Sequence, residues 1–368
     1  ASCSLLGRCC HERLEEHMEK ELQELCGFLD SEREDLRIAA ALATADYSGT
    51  AEGTSILARC GDALLRPLIN LLRTEDEGAS HAAAALVNIS QQPASRSQLI
   101  ALGAVQFTIK AICKSTSLPS AVGRCCMLLA NLTQFEDARD QLLVSPLLPN
   151  LLDRYSNLHT ERHFAHMPLV LTHLLATSGG RRCVLEHPSA VPALMKQFTA
   201  AANTGCSSDS DQNVGDDRRS IAFALRNLCF EAATSAPSRT LLLERLALLV
   251  APMVAPLSPP STTFTDDEAA SFPSELRTAL GSAGTYAADD ELRLALSEAL
   301  LCLTTAADAT AFIKELAIYP ILREAQMQEE NTHVLEVNEK LIKGLFWTGA
   351  AVTPSSNQDE SQVEEVPD

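Results

Sequence analysis

The chain has 368 residues, of which 46% are hydrophobic and 4% aromatic, and its formal net charge at pH 7 is −19. So few aromatic side chains, with so much alanine and leucine, favour close-packed helices over a β-sandwich. The negative charge argues against binding to nucleic acid or to an anionic membrane, because both need clustered lysine and arginine. The acidity instead fits simple solubility, or a partner with basic or unfolded segments.

The cysteines and the apolar runs indicate the cellular compartment of the protein. Twelve cysteines are present, none in a Cys-x-x-Cys pair, and most lie in apolar helical stretches. This scatter is typical of buried, reduced thiols in a cytosolic or nuclear protein. Apolar runs stay shorter than the roughly 18 residues that span a bilayer, and the first residues lack a signal-peptide core. We therefore expect a cytoplasmic protein that makes no membrane contact.

An internal repeat runs along the chain and is best sought before local motifs. Two similar apolar segments contain Asn88 and Asn131, which are 43 positions apart. Such segments recur along the chain, centred on Thr44, Asn88, Asn131, His173, Asn227 and Cys302. About fifteen residues after most of these centres comes a turn, as at Gly61, Gly103 or Ala317, and then another apolar helix. The two longest spacings contain segments rich in Ser, Asp, Pro and Gly, which the composition predicts to be loops.

A period of about 40 to 47 residues built from two or three helices is typical of armadillo and HEAT repeats. One such unit cannot bury its own apolar face, so the units stack and share a continuous core. We predict an all-α, right-handed helical solenoid of about six repeats. It would span residues 1–349, with loop insertions near 203–217 and 256–289, and residues 350–368 would form an acidic disordered tail.

The repeated position suggests a binding surface. In armadillo solenoids the third helix of each repeat lines a concave groove, and an Asn there can bond both the N–H and the C=O of an extended guest chain. Nearby arginines could contact guest carboxylates. The predicted groove residues are Asn88, Asn131, His173, Arg218, Arg219, Arg226 and Asn227. The alternative is that each Asn only satisfies backbone groups of the solenoid. If the groove interpretation holds, replacing Asn131 and Asn227 with Ala should weaken guest binding and leave the melting temperature nearly unchanged.

The passages Arg218–Glu231 and Tyr319–Glu324, in this order and spacing, resemble the Hgh family, armadillo-like cochaperones in the folding of elongation factor 2. The resemblance spans about residues 20–346. It implies a cytosolic adaptor that binds a partly folded region of elongation factor 2 and brings it to the cytosolic chaperonin. Other chaperones are further partners that the resemblance implies, and it implies no ATP site.

Catalytic and metal-binding motifs are weak. The sequence has no glycine-rich phosphate loop and no His-Glu-x-x-His, so we expect no enzymatic activity and no cofactor. Several residues could be considered as metal ligands: Cys9, Cys10, His11, His159, His163, His166, Cys183 and His187. Their spacing does not define a zinc site, and solvated or capping histidines are the simpler interpretation, so we predict no metal.

Two other functions fit a solenoid of this kind. One is a structural scaffold, which sequence cannot distinguish from a transient cochaperone. The other is a nuclear transport adaptor that binds extended basic segments in an acidic groove. Adaptors of that type carry paired tryptophans on the groove helices, whereas this chain has a single tryptophan, Trp347, near its end.

Overall fold

The computed structural model describes residues 20–114, 117–203, 212–281 and 286–346, and every regular element within these ranges is a helix. Residues 20–29 form the first helix, α1. The other helices, with two short 3-10 helices η1 and η2, are α2 (Glu34–Ser48), α3 (Ala51–Ala58), α4 (Asp62–Leu71), α5 (Glu77–Ile89), α6 (Pro93–Ala101), α7 (Ala104–Cys113), α8 (Pro119–Thr133), α9 (Glu136–Leu143), α10 (Leu148–Leu158), η1 (Arg162–Phe164), α11 (Met167–Leu174), α12 (Ser178–Glu186), α13 (Ala190–Asn203), α14 (Gln212–Thr234), α15 (Ala236–Val254), η2 (Ala255–Leu257), α16 (Asp266–Ser271), α17 (Ser274–Leu280), α18 (Asp290–Leu303), α19 (Ala307–Glu315), α20 (Tyr319–Gln328) and α21 (Thr332–Phe346). The predicted all-α class is confirmed, whereas the predicted tail at 350–368 lies outside the described residues.

The repeating unit is a short first helix, a second helix and a third helix, as in α3, α4 and α5. Two first helices start at a threonine cap, since Thr50 accepts a hydrogen bond from the Gly53 amide at 3.0 Å and Thr177 accepts one from Gly180 at 3.1 Å. A Cβ at either glycine would lie about 2 Å from a backbone carbonyl oxygen of the preceding helix, 1.9 Å at Gly53 and 2.1 Å at Gly180. The absence of a side chain therefore lets the chain turn tightly from one repeat into the next.

The turn between the first and second helices uses left-handed backbone. Gly61 has a φ of 51°, Gly103 of 80° and Ala317 of 52°. All three are among the turn residues that the sequence predicted. Glycine adopts such angles at little cost, whereas an alanine in this conformation is strained by about 1–2 kcal/mol.

The third helices of successive repeats pack side by side. We call α2, α5, α8, α11, α14, α18 and α21 the ladder helices, because each one contacts the next in this order. The second helices α4, α7, α10 and α13 form a parallel row of their own, and α4, α7 and α13 each pack behind the ladder helix that follows it. Each of the six repeat centres predicted from the sequence falls on a different ladder helix, from α2 to α18.

A single hydrophobic core runs through the described residues from Leu29 to Leu345. Small side chains allow the ladder helices to approach closely, and in α5 Ala82, Ala83 and Ala85 have no exposed surface. Such a core is shared between neighbours rather than enclosed in each unit, which is the property of a solenoid.

The two segments predicted to be loops are partly helical. Helix α14 already begins at Gln212, while residues 204–211 lie outside the described part of the chain. Between 256 and 289 the chain forms α16 and α17, and Phe272 and Leu276 are buried. Glu268 at the start of α16 closes a capping box and accepts a hydrogen bond from Arg323 Nη1 at 2.9 Å. The capping box and this contact fix the start of α16 within a segment that is otherwise rich in Pro, Ser and Thr.

Candidate partner-binding face

A ladder helix has neighbours on two sides and a second helix behind it, so one side remains open. In α5 the least buried residues are Glu77, His81, Ala84 and Asn88, which share one side of the helix at intervals of three or four. The corresponding positions in α8 include Arg124, Met127 and Asn131, so the same side is open. We call the open sides of α5, α8, α11, α14 and α18 together the ladder face.

The predicted Asn and His residues lie on the ladder helices and are partly buried, and each donates a hydrogen bond to the preceding ladder helix. Asn88 Nδ2 donates to Ser48 Oγ at 3.0 Å, at the last residue of α2. Asn131 Nδ2 donates to Ser90 Oγ at 2.9 Å, just after α5. Asn227 Nδ2 makes a long contact of 3.5 Å with a carbonyl near the end of α11.

His173 takes the same place between α8 and α11. Its Nδ1 lies 3.0 Å from Thr133 Oγ1, and Thr133 uses its own proton to donate to Leu129 O at 2.8 Å. With the Thr133 proton assigned to Leu129 O, Nδ1 of His173 is the donor in this pair. Burial, with a smaller effect from nearby Arg139, lowers the pKa of His173 to about 4, so the ring is neutral at pH 7.

These bonds use the Nδ2 atom of each Asn and leave the Oδ1 atom available to a guest. Among the described residues, no donor meets Oδ1 of Asn88, Asn131 or Asn227. A guest N–H could bond to these oxygens without disturbing the solenoid. The two-sided contact predicted from the sequence would instead break the bonds between ladder helices, because it also uses Nδ2.

The predicted arginines on α14 are in contact with groups of the protein itself. Arg219 Nε donates to Asp289 at 2.8 Å, and Arg226 Nη1 donates to Glu298 Oε2 on α18 at 2.9 Å. The guanidinium of Arg218 lies 4.9 Å from the ring centre of Phe198, and burial lowers its pKa. A guest carboxylate at Arg219 or Arg226 would therefore compete with acidic groups already in place.

The sequence reasoning missed an arginine that recurs at the same position in three repeats. It lies eight positions after Asn88, Asn131 and His173, as Arg96, Arg139 and Arg181. Each of these arginines donates to carbonyls at the end of the ladder helix that precedes it. The distances run from 2.6 Å for Arg96 to Ser90 O to 3.2 Å for Arg181 to Leu175 O. These carbonyls have no partner within their own helix, so the arginines cap the helix ends. The constant spacing of eight was the signal that could have revealed them.

The ladder face also exposes apolar side chains that the sequence reasoning missed. Phe230 on α14 is 52% exposed, and the guanidinium of Arg181 lies 5.4 Å from its ring centre. Phe223, two turns earlier, is half-buried. Met127 on α8 is 36% exposed, one turn before Asn131. Their helical phase relative to the Asn positions could have placed them on this face.

The cysteine and histidine chemistry offers no reactive centre in the described part of the chain. Burial raises the pKa of Cys113 to about 11 and that of Cys125 to about 12, which keeps both thiols protonated and poorly nucleophilic. Within the described ranges no group of three or more His, Cys, Asp and Glu is placed to hold a metal ion, and Cys9, Cys10 and His11 lie outside them. His187 is largely buried, and its Nε2 lies 3.1 Å from Oδ1 of the exposed Asp153.

Fold and ladder face together define an armadillo-type helical repeat protein. A solved chain from work on the interaction between cadherin and beta-catenin superposes with a TM-score of 0.60 at 16% identity, over 88% of this chain and 61% of that one. A computationally designed armadillo repeat protein for modular peptide recognition gives a TM-score of 0.40 at 16% identity, over 88% and 99% of the two chains. The superposition with the chain from the cadherin and beta-catenin work shows that the two chains share a fold.

The sequence relationship is more specific. The chain is 25% identical over 333 residues to the Protein HGH1 homolog of Xenopus laevis, and the match covers 88% of each protein. No protein-family model matches the chain. The similarity to the Xenopus protein supports the assignment of this chain to the Hgh family, as the sequence resemblance predicted. Among the helices that the structure describes, none is long and apolar enough to cross a membrane.

Proposed function

We propose that the chain is a non-enzymatic adaptor of the Hgh cochaperone type. It binds elongation factor 2 during folding and links that client to the cytosolic chaperonin. The observation that carries the binding role is the ladder face, where side chains with free acceptor atoms recur on successive helices beside exposed apolar groups. The identity of the client rests on the family resemblance.

The chemistry of the ladder face suits a partly folded polypeptide. The Oδ1 atoms of Asn88, Asn131 and Asn227 can accept hydrogen bonds from an extended backbone without reading its sequence. Met127 and Phe230 offer apolar contacts, and methionine and phenylalanine adapt well to varied apolar partners. A client that has not finished folding supplies both free backbone N–H groups and unburied apolar side chains.

Charge favours this client over a basic transport signal. Along α8, along α11 and in residues 218–234 of α14, the single acidic residue is Glu231. Glu231 is buried and accepts a hydrogen bond from Arg181 Nε at 2.8 Å. The middle of the ladder face therefore presents Arg124 and the neutral His173 to a guest, while the charge of Arg226 is balanced by Glu298. A neutral or acidic segment suits these groups better than a run of lysines.

The proposal is tested with purified elongation factor 2 that is diluted from denaturant into the adaptor, with capture followed over time. A double variant, Met127→Ala with Phe230→Ala, should weaken capture at least about fivefold, because exposed apolar anchors dominate such contacts. The matched control is Val144→Ala with Met327→Ala, since both residues are more exposed than the anchors but lie off the ladder face. Addition of purified chaperonin should then transfer the captured client.

Two results would contradict the proposal. One is a folded adaptor that captures no refolding elongation factor 2. The other is equal loss of capture in the double variant and its control, which would detach the activity from the ladder face. Selective binding of peptides rich in lysine, without the elongation factor, would instead support the transport adaptor.

A further inference from the structure

A recess opens beside the first turns of α8, where η1 packs against this helix. It is a shallow recess, open to solvent, with a volume of about 390 Å³. The recess, which we call the basic pocket, is lined by Pro119, Ser120, Gly123, Arg124, Met127, Arg162, His163 and His166. Because Met127 lies one turn before Asn131, the basic pocket continues the ladder face towards the start of α8.

The lining of the basic pocket contains two arginines, two histidines and no carboxylate, in a chain whose net charge is −19. Neither Arg124 nor Arg162 forms an ion pair with any described residue. The arginines between α14 and α18 differ in this respect, because Arg219 and Arg226 both meet carboxylates. Two arginines without acidic partners that converge on one recess form a site for a negative group from outside the chain.

The Arg124 side of the pocket is held in place before any ligand arrives. Arg124 Nη1 donates to Ser80 O at 3.0 Å and to Ser80 Oγ at 2.6 Å, which fixes the guanidinium against α5. Ser80 Oγ in turn donates to Ser120 Oγ at 3.0 Å, at the rim of the pocket. Fixed donors of this kind lose little conformational freedom when an anion binds.

The remaining lining groups complete a site with one charged and one apolar wall. His163 lies with its ring centre 4.9 Å from that of Phe164, and burial lowers the pKa of His166, so at pH 7 His166 is a neutral hydrogen-bonding group. Met127 and Pro119 provide the apolar wall. A guanidinium opposite a short apolar wall matches a side chain with methylene groups and a terminal carboxylate.

We propose that the basic pocket binds the carboxylate of an aspartate or glutamate in an extended polypeptide that lies along the ladder face. The inference rests on the proposed function only in needing a polypeptide on that face. It adds a selection rule, because segments with an acidic residue in register with α8 bind more tightly than neutral segments. It also separates this protein from solenoids whose grooves select basic segments.

The test uses three fluorescein-labelled peptides of Gly and Ser that differ at one central position between two leucines. That position is Glu, Gln or phosphoserine, and binding is followed by fluorescence anisotropy at two salt concentrations. The Glu peptide should bind about tenfold more tightly than the Gln peptide at low salt, and the difference should shrink at high salt. Arg162→Gln should remove most of the preference, and Arg124→Gln should remove it as well. Arg182→Gln, an exposed arginine on α12, should leave the preference intact.

Arg162 is exposed and its side chain forms no hydrogen bond with another described residue, so its variant should fold even if Arg124→Gln does not. Equal affinity for Glu and Gln peptides would overturn the proposal, as would a preference that survives Arg162→Gln. Tight binding of the phosphoserine peptide without a preference for Glu over Gln would also overturn it. If the acidic preference is present but elongation factor 2 is not captured, the basic pocket stands and the proposed client falls.

Discussion

Replacing Asn131 with Ala should destabilise the solenoid, in contrast to the unchanged melting temperature expected from the sequence. Asn131 Nδ2 donates to Ser90 Oγ at 2.9 Å and makes a weaker contact with Val87 O at 3.4 Å. Ser90 has no exposed surface in the folded chain, so Asn131 is the donor that satisfies its Oγ acceptor. Val87 O keeps the hydrogen bond that Ser90 Oγ donates to it at 2.7 Å.

The expected loss of stability follows from the different fates of Ser90 Oγ, which loses its donor, and Val87 O, which keeps one. One buried acceptor loses its donor, while the neighbouring carbonyl stays satisfied, so Asn131→Ala should lower the free energy of unfolding by about 1–2 kcal/mol. Asn131→Asp should cost more, by about a further 1 kcal/mol. It places an oxygen where Nδ2 donated and brings negative charge to the negative end of the α5 dipole.

Urea denaturation followed by circular dichroism at pH 7 measures the two variants. Because a repeat protein can unfold in parts, hydrogen exchange of α5 and α8 should be read alongside it. Exchange should accelerate at the end of α5 in both variants. Met127→Ala is the control, since this residue lies one turn earlier on the same helix and has no hydrogen bond to lose. If Asn131→Ala and Met127→Ala are equally stable, the amide bond contributes nothing and the reasoning is wrong.

Three further changes probe other parts of the solenoid. His173 has a pKa of about 4 in the folded chain against an ordinary 6.5, so the unfolded chain takes up a proton first as pH falls, and stability is lost between these values. His173→Asn should abolish most of that loss, about 2–3 kcal/mol, in urea titrations at pH 7 and pH 4.5. Glu329→Ala leaves the buried Arg293 with Asp290 as its remaining carboxylate partner and should cost about 2–3 kcal/mol, whereas Glu339→Ala, which removes an exposed pair, should leave the urea midpoint nearly unchanged; similar midpoints would refute this. Gly180→Ala would place a Cβ 2.1 Å from a backbone carbonyl oxygen, so its melting curve should shift to clearly lower temperature.

The fold was largely predictable because the same sequence pattern recurs in each repeat of a solenoid. The spacing of Asn88 and Asn131 marked the repeat, and turns at Gly61 and Gly103 marked its internal boundary. The helices α16 and α17 were missed because they are short, have no place in the period and lie in a segment rich in Pro, Ser and Thr, although their own residues include good helix formers. Burial of Phe272 and Leu276 against other elements holds them, and such contacts are invisible in local sequence.

The sequence predicted which residues lie on the candidate site, but not which of their side-chain atoms are available to a guest. The period placed Asn88, Asn131 and Asn227 on successive ladder helices, because a constant spacing gives equivalent residues the same phase. The sequence could not show that Nδ2 is already used. Its partner lies 40 residues earlier for Asn88 and 41 earlier for Asn131, in the preceding ladder helix. The contacts of Arg219 and Arg226 with acidic residues of the next ladder helix were hidden for the same reason.

His173 shows why the ladder tolerates a departure from Asn. Neutral histidine with the proton on Nδ1 donates to the preceding ladder helix and keeps an acceptor, Nε2, which meets no donor among the described residues. Asn131 uses its side chain in the same divided way, since Nδ2 bonds within the solenoid and Oδ1 remains available to a guest. The division holds only while the ring is neutral, and burial secures this by lowering the pKa of His173. Because stability and recognition use opposite ends of one side chain here, truncation to alanine tests both at once. Only a variant that keeps the inward donor can test recognition alone.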